Sequence, residues 1–227
     1  MRVVFEIDDN HSYDLYDYFG WFVDFEELPS PSPRTNYVSI PSRNGYLDLT
    51  EVNGQVYFDP VKFTLIARKI LKKGDDIISQ VSTLKNTFHG KRVRVYLGGS
   101  SEYPETYYYD SRLDVKGVSR DSLLVEVEIE CTAFPYRLAK SLTTETFTIT
   151  QERQEVVIYG MPMPVVPSIT TNAEMFIAYD EYRVTIGPGE NIIVPDIVLT
   201  ERIDGAGNMF YITGNGTISF TYQKGKF

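Results

Sequence analysis

The chain has 227 residues and a formal net charge of -9, from 22 Lys+Arg against 31 Asp+Glu, so its bulk field repels nucleic acid and anionic membrane. Its single cysteine, Cys131, excludes an internal disulfide and leaves stability to packing. Seventeen tyrosines and 13 phenylalanines raise the aromatic share to 14%, a composition that favours strands over disorder, and the length suits one large β domain or two ordinary ones.

The start, Met1-Arg2-Val3-Val4-Phe5-Glu6, turns acidic before an apolar stretch develops. No run of about 18 apolar residues follows. Neither secretion nor membrane insertion is expected. The first 33 residues hold eight acidic side chains and one basic one, mixed with Tyr13, Tyr16, Tyr18, Phe19, Trp21, Phe22 and Phe25, and end in Pro29-Ser30-Pro31-Ser32-Pro33. So aromatic a segment must be covered. It reads either as one or two strands of the first domain followed by a proline connector, or as an arm laid on a neighbouring subunit.

From Tyr37 to Leu49 the pattern is strand, turn, strand, with Val38 and Ile40 alternating before Asn44-Gly45 and Leu47 and Leu49 after it. A second Asn-Gly, Asn53-Gly54, leads into Gln55-Val56-Tyr57-Phe58, and Lys62 to Ile70 is rich in strand formers. One helix is predicted over 75–88, because Ile77, Val81, Leu84 and Phe88 recur at helical spacing, Asp75 and Asp76 suit its N-terminal end, and His89-Gly90 closes it.

Two alternating strands follow. Val93, Val95 and Leu97 interleave with Arg92, Arg94 and Tyr96; Val125, Val127 and Ile129 interleave with Glu126, Glu128 and Glu130. The Arg row and the Glu row either meet, across adjacent strands or between subunits, or remain two separate solvated faces. After Phe134-Pro135-Tyr136-Arg137 the texture changes. Threonines cluster at 143, 144, 146, 148 and 150, no helical pattern recurs, and short alternating runs are separated by Gly187-Pro188-Gly189, Asp204-Gly205 and Gly214-Asn215-Gly216. A boundary is expected near 138–141, giving domains 1–140 and 141–227, the second a compact β-sandwich.

Reactive chemistry finds little to build on. His11 and His89 are far apart and no HExxH, CxxC or EF-hand loop is present, so no metal or other cofactor is expected. Gly98-Gly99-Ser100 and Gly117-Val118-Ser119 lack the closing glycine of a nucleophile elbow. The carboxylate pairs Asp8/Asp9, Glu26/Glu27 and Asp75/Asp76 are sequence neighbours, which sends them to different faces. Tyr179, Tyr182, Tyr211 and Tyr222 form either strand-spaced core or a sugar-stacking platform.

The run Ile40-Pro41-Ser42-Arg43-Asn44-Gly45-Tyr46-Leu47-Asp48-Leu49-Thr50 resembles the turn-and-strand signature near the start of the distal tail proteins of long-tailed phages. Three further features are similar and in the same order: the 75–88 helix followed by Arg92-Val93-Arg94-Val95, the strand ending Cys131-Thr132-Ala133-Phe134-Pro135-Tyr136-Arg137, and the close from Gly214 to Gly225. The resemblance implies a mainly β chain with an N-terminal β-sandwich-like domain bearing one helix and a C-terminal galectin-like β-sandwich. It implies a non-enzymatic virion protein at the distal end of the tail, assembled in the bacterial host cytoplasm.

Its partners would be five further copies in a hexameric ring, the tail tube protein, the tail-associated tip or baseplate protein and the tape-measure protein, around a channel that passes DNA without binding it. The second sandwich would project outward. Residues 141–227 leave no room for the long arm with which some members grip receptor-binding proteins. Candidate subunit-interface residues are Arg43, Asn44, Gly45, Leu47 and Asp48 in the turn signature and Arg92, Arg94, Glu126, Glu128 and Glu130 in the charged rows. The competing reading is a carbohydrate-binding module or sugar-active protein that acts in host adsorption.

Overall fold

The computed structural model describes residues 2–25, 29–42, 44–51, 56–98, 105–121, 123–150, 153–189, 191–201, 205 and 207–227. The chain folds as two units, residues 1–137 with Phe227, and residues 138–226.

The first unit contains β1 (Val3–Asp8), β2 (His11–Asp14), α1 (Leu15–Phe19), β3 (Phe22–Phe25), β4 (Tyr37–Ser39), β5 (Tyr46–Asp48), β6 (Val61–Ile70), α2 (Ile77–Phe88), β7 (Arg92–Leu97), β8 (Tyr107–Asp121) and β9 (Leu124–Ala133). Seven of these strands form one antiparallel sheet in the order β2-β1-β7-β8-β9-β6-β3. Alternation decides its faces. Val93 and Val95, Leu113 and Val115, and Val125, Val127 and Ile129 are buried on one side, where Val81, Leu84 and Phe88 of α2 join the same core. The helix begins as expected, with the Asp76 carboxylate accepting from the Ser79 N–H at 3.2 Å, an N-cap that satisfies one of the orphan donors of the first turn. Phe88 is the centre of the packing, its ring meeting Phe5, Tyr13 and Phe19 edge-on at 5.0, 5.6 and 5.8 Å, an arrangement that suits the aromatic quadrupole.

A second helix, α1, stands where only strands were anticipated. Asp14 accepts from the N–H groups of Tyr16 and Asp17 at 2.9 and 3.2 Å, and Gly20, at φ 70°, closes the other end, a cap that a residue with a Cβ adopts only under strain. The turn buries Leu15 and Trp21. The acidic, aromatic start of the chain is thus built into its own sheet rather than extended as a free arm.

β10 (Arg137–Ala139) straddles the boundary. The second unit continues with β11 (Thr143–Ile149), β12 (Gln154–Ile158), β13 (Ser168–Thr171), β14 (Met175–Tyr179), β15 (Tyr182–Ile186), β16 (Asn191–Ile193), β17 (Asn208–Gly214), β18 (Gly216–Tyr222) and β19 (Gly225–Lys226). Two four-stranded antiparallel sheets, β11-β18-β13-β16 and β12-β17-β14-β15, enclose a shared apolar core. Phe210 and Phe220, from different sheets, meet at 4.9 Å, and Tyr179 stacks on Phe210 at 4.6 Å. Asn208 is fully buried, and both ends of its amide are used. Nδ2 donates to the carbonyls of Ile158 and Thr200, each at 3.0 Å; Oδ1 accepts from Thr200 N–H at 3.3 Å and Tyr179 O–H at 3.2 Å. A buried amide is tolerated only when it is satisfied in this way.

Candidate subunit interface

Between β3 and β6, the described residues 32–42, 44–51 and 56–59 lie outside the first unit's sheet. At the neck, Pro33 bridges Phe58, Arg34 N–H donates to Tyr57 O at 2.7 Å and Asp59 N–H to Ser32 O at 2.9 Å, and the Arg34 guanidinium pairs with Asp59 at 2.6 Å. Beyond the neck, among the described residues, β4 and β5 pair only with each other, in the register Tyr37 to Asp48, Val38 to Leu47 and Ser39 to Tyr46.

Direct partners share a face. Val38 and Leu47 therefore line one side of the hairpin, while Tyr37 and Tyr46, their rings 6.2 Å apart, line the other. All four are exposed, Tyr46 at 74%. The sequence had pointed to Asn44, Gly45, Leu47 and Asp48 in this segment. Asn44 and Gly45 lie in the connection, where Gly45 has φ 89°, Leu47 is on the apolar side, and Arg43 lies outside the described residues. Asp48 is committed locally. Its carboxylate accepts from the Thr50 N–H at 2.9 Å, and bonding to Thr50, first through its side chain and then its backbone, holds the acid below its ordinary pKa. The exposed Tyr37, Val38 and Tyr46 were not among the candidates, although their alternation about Asn44-Gly45 was visible.

The charged rows are corrected in one respect. β7, with Arg92 and Arg94, and β9, with Glu126, Glu128 and Glu130, are separated by β8, so the rows do not meet across adjacent strands. Each row has partners elsewhere in the chain. Arg92 pairs with Asp110, and Arg94 with Glu6 at 2.7 Å and Asp9 at 2.6 Å, the two carboxylates, Asp9 first, raising the guanidinium pKa further. Glu126 pairs with Arg68 at 2.6 Å and Glu130 with Lys116 at 3.0 Å. Glu128 stays exposed, opposite the bulge that shifts β8 between Val115 and Val118.

The residues weighed for chemistry are scattered. Cys131 is buried and burial pushes its thiol up, away from the thiolate that reactivity needs. His11 sits against Asp8 at 2.8 Å in an exposed turn, and His89 Nδ1 accepts from Val115 N–H at 3.2 Å. Asp9 pairs with Arg94, Asp75 accepts from Lys72 N–H at 2.8 Å, and Glu26/Glu27 lie outside the described residues. Among the described residues no group of three or more His, Cys, Asp or Glu could hold a metal ion. The four tyrosines do not form a common platform: Tyr179 and Tyr222 are core residues, Tyr182 is exposed, and Tyr211 lies under the Arg153 guanidinium at 4.2 Å.

No family model matches the chain, and no curated protein matches it. Among solved structures it is similar to the Dit protein (gp 19.1) of SPP1, described as a paradigm of the hub adsorption apparatus in phages that infect Gram-positive bacteria. The two align with a TM-score of 0.62 over 97% of this chain and 98% of that one, at 14% identity. Both units, in their order along the sequence, thus follow the fold of a phage tail hub protein.

Proposed function

We propose that this chain is a structural hub at the distal end of a long-tailed phage tail, a non-enzymatic subunit that closes with copies of itself into a hexameric ring between the tail tube and the tail tip or baseplate. The observation that carries this reading is the fold it shares with the SPP1 hub protein along nearly the whole of both chains. In this reading the first unit (the ring-forming domain) carries the contacts between subunits, the second is the galectin-like sandwich, and DNA passes through the ring without being held.

The physical support for assembly is the hairpin on its neck. A two-stranded ribbon is marginal in water by itself, and one with Val38 and Leu47 on one face and Tyr37 and Tyr46 on the other leaves apolar surface exposed whichever way it lies. Insertion between neighbouring subunits buries both faces. Such a contact joins unlike surfaces, and a heterologous contact whose rotation closes generates a ring. Asn44, Gly45, Leu47 and Asp48 stand in or beside it, while the pairing of Arg92, Arg94, Glu126 and Glu130 within the chain leaves Glu128 as the freest charge of the rows for a neighbour.

Negative-stain microscopy and mass measurement of the purified chain test this. A ring with a central hole and six subunits is expected, and the double substitution Tyr46→Ser, Leu47→Ser is expected to give folded monomers with the circular dichroism spectrum of the wild type and an unfolding midpoint that no longer rises with protein concentration. A wild-type chain that stays solitary at high concentration and binds a glycan array overturns the hub reading in favour of a carbohydrate-binding module. Intact rings from the double variant overturn the hairpin's part in it.

A further inference from the structure

Where α2 hands over to β7, a cleft of about 670 Å³ opens beside the sheet. Arg92 and Arg112 lie at it, together with Asp110, Asp114, Phe134 and Pro135. Arg92, Arg112 and Thr132 are exposed and alternate with the buried Val93, Leu113 and Ala133, so they project from the sheet face opposite α2.

The charges here are placed at a cost. Arg92 and Arg112 are direct cross-strand partners, and like charges so placed destabilise a sheet. Asp110 answers only one of them, pairing with both Nε and Nη2 of Arg92. The Arg112 side chain has, among the described residues, one polar partner, the Gly90 carbonyl at 2.7 Å, and a carbonyl leaves the guanidinium charge unpaired. In a chain of net charge -9 a carboxylate would have been easy to supply. Next to this open fork of donors stands the Phe134 ring, 45% exposed.

We propose that the cleft binds a peptide segment that carries a carboxylate side chain beside an apolar one, the carboxylate on Arg112 and the apolar group against Phe134 and Pro135. A guanidinium matches a carboxylate with two parallel hydrogen bonds, which a backbone carbonyl cannot offer it. Asp110 and Asp114 on the same walls repel a succession of phosphates, which sets a peptide apart from a nucleic acid strand.

The test is an NMR titration of the intact chain with acetyl-Phe-Glu-Phe-amide and with its neutral analogue acetyl-Phe-Gln-Phe-amide. Saturable shifts at the Leu113, Ala133 and Phe134 amides are expected with the first peptide, and binding about tenfold weaker with the second, the usual worth of a hydrogen bond to a charged group. Arg112→Gln is expected to reduce the difference between the two peptides to nothing, Arg112→Lys to keep part of it, and Lys73→Gln, away from the cleft, to leave it whole. The unfolding midpoint of Arg112→Gln is expected to be unchanged or higher, since the substitution relieves the opposition of two arginines. Equal binding of the two peptides, or a preference for the glutamate peptide that survives Arg112→Gln, overturns the proposal. Tighter binding of an oligothymidylate than of either peptide also overturns it, by assigning the cleft to nucleic acid.

Discussion

The second unit closes an apolar core between two sheets of its own and leaves hydrophobics such as Tyr159 and Ile193 exposed on or beside the strands of that sandwich, whereas the first combines a well-filled core with a separate hairpin whose apolar residues stand in solvent on both faces. The contrast extends to polar groups. In the second unit the buried Asn208 makes four hydrogen bonds inside the sandwich, while in the first the Arg112 side chain, beside an open cleft, makes one among the described residues. A unit that closes its own core can be carried as a module. A unit that leaves apolar and charged groups unanswered is shaped for something outside it.

The comparison can be broken most forcefully at Phe88. Phe88→Ala removes the ring on which Phe5, Tyr13 and Phe19 converge and is expected to destabilise the first unit by about 3–5 kcal/mol. Trp21, buried in the first unit, is the chain's one tryptophan, so urea unfolding followed by its fluorescence reports that unit; a second-unit transition unmoved in hydrogen exchange shows that the two cores are separate. Asn208→Ala strands the Ile158 and Thr200 carbonyls and the Thr200 N–H and is expected to cost the second unit about 3 kcal/mol, with the Trp21 transition unchanged.

Acid sharpens the comparison by a smaller amount. Burial works to raise the Asp14 pKa, but Arg2 and the N–H groups of Asp17 and Tyr16 outweigh it and hold the acid below its ordinary value. A carboxylate whose folded pKa is depressed stabilises the fold above its unfolded value, about 3.9, and that contribution is lost as pH falls through the folded value. The wild-type Trp21 midpoint is therefore expected to drop as pH falls below about 4. Asp14→Ala, which costs about 1 kcal/mol at neutral pH as the loss of a helix cap, is expected to flatten that drop.

Much of the architecture was legible because it is local. Ile77, Val81, Leu84 and Phe88 recur at helical spacing, and the helix runs Ile77–Phe88; Asn44-Gly45 marks a hairpin, and β4 and β5 pair about it; the buried and exposed residues of β9 alternate as its sequence does. The short helix α1 was missed because Tyr16, Tyr18 and Phe19 favour strands, although Asp14 and Gly20, a cap at each end, were there to be read. The partners of the charged rows were not legible. Alternation tells which face Arg94 or Glu126 takes, but strand order is a property of the whole sheet, and the insertion of β8 between β7 and β9 sends those charges to Glu6, Asp9 and Arg68 instead. Tyr179 and Tyr222 were ambiguous for the same reason: a strand-spaced tyrosine belongs to the core or to the surface depending on which side the second sheet covers.

The neck at Ser32–Arg34 and Tyr57–Asp59 has a practical consequence. Because two backbone hydrogen bonds and the Arg34–Asp59 pair fasten the segment at its root, Arg34 and Tyr57 are held side by side, like the ends of a cassette. The segment can be excised and bridged with a few glycines, or exchanged for a different ribbon, while the sheet keeps its register. Under the proposed hub reading, chimaeras of this kind turn the choice of neighbour into a heritable and separable trait.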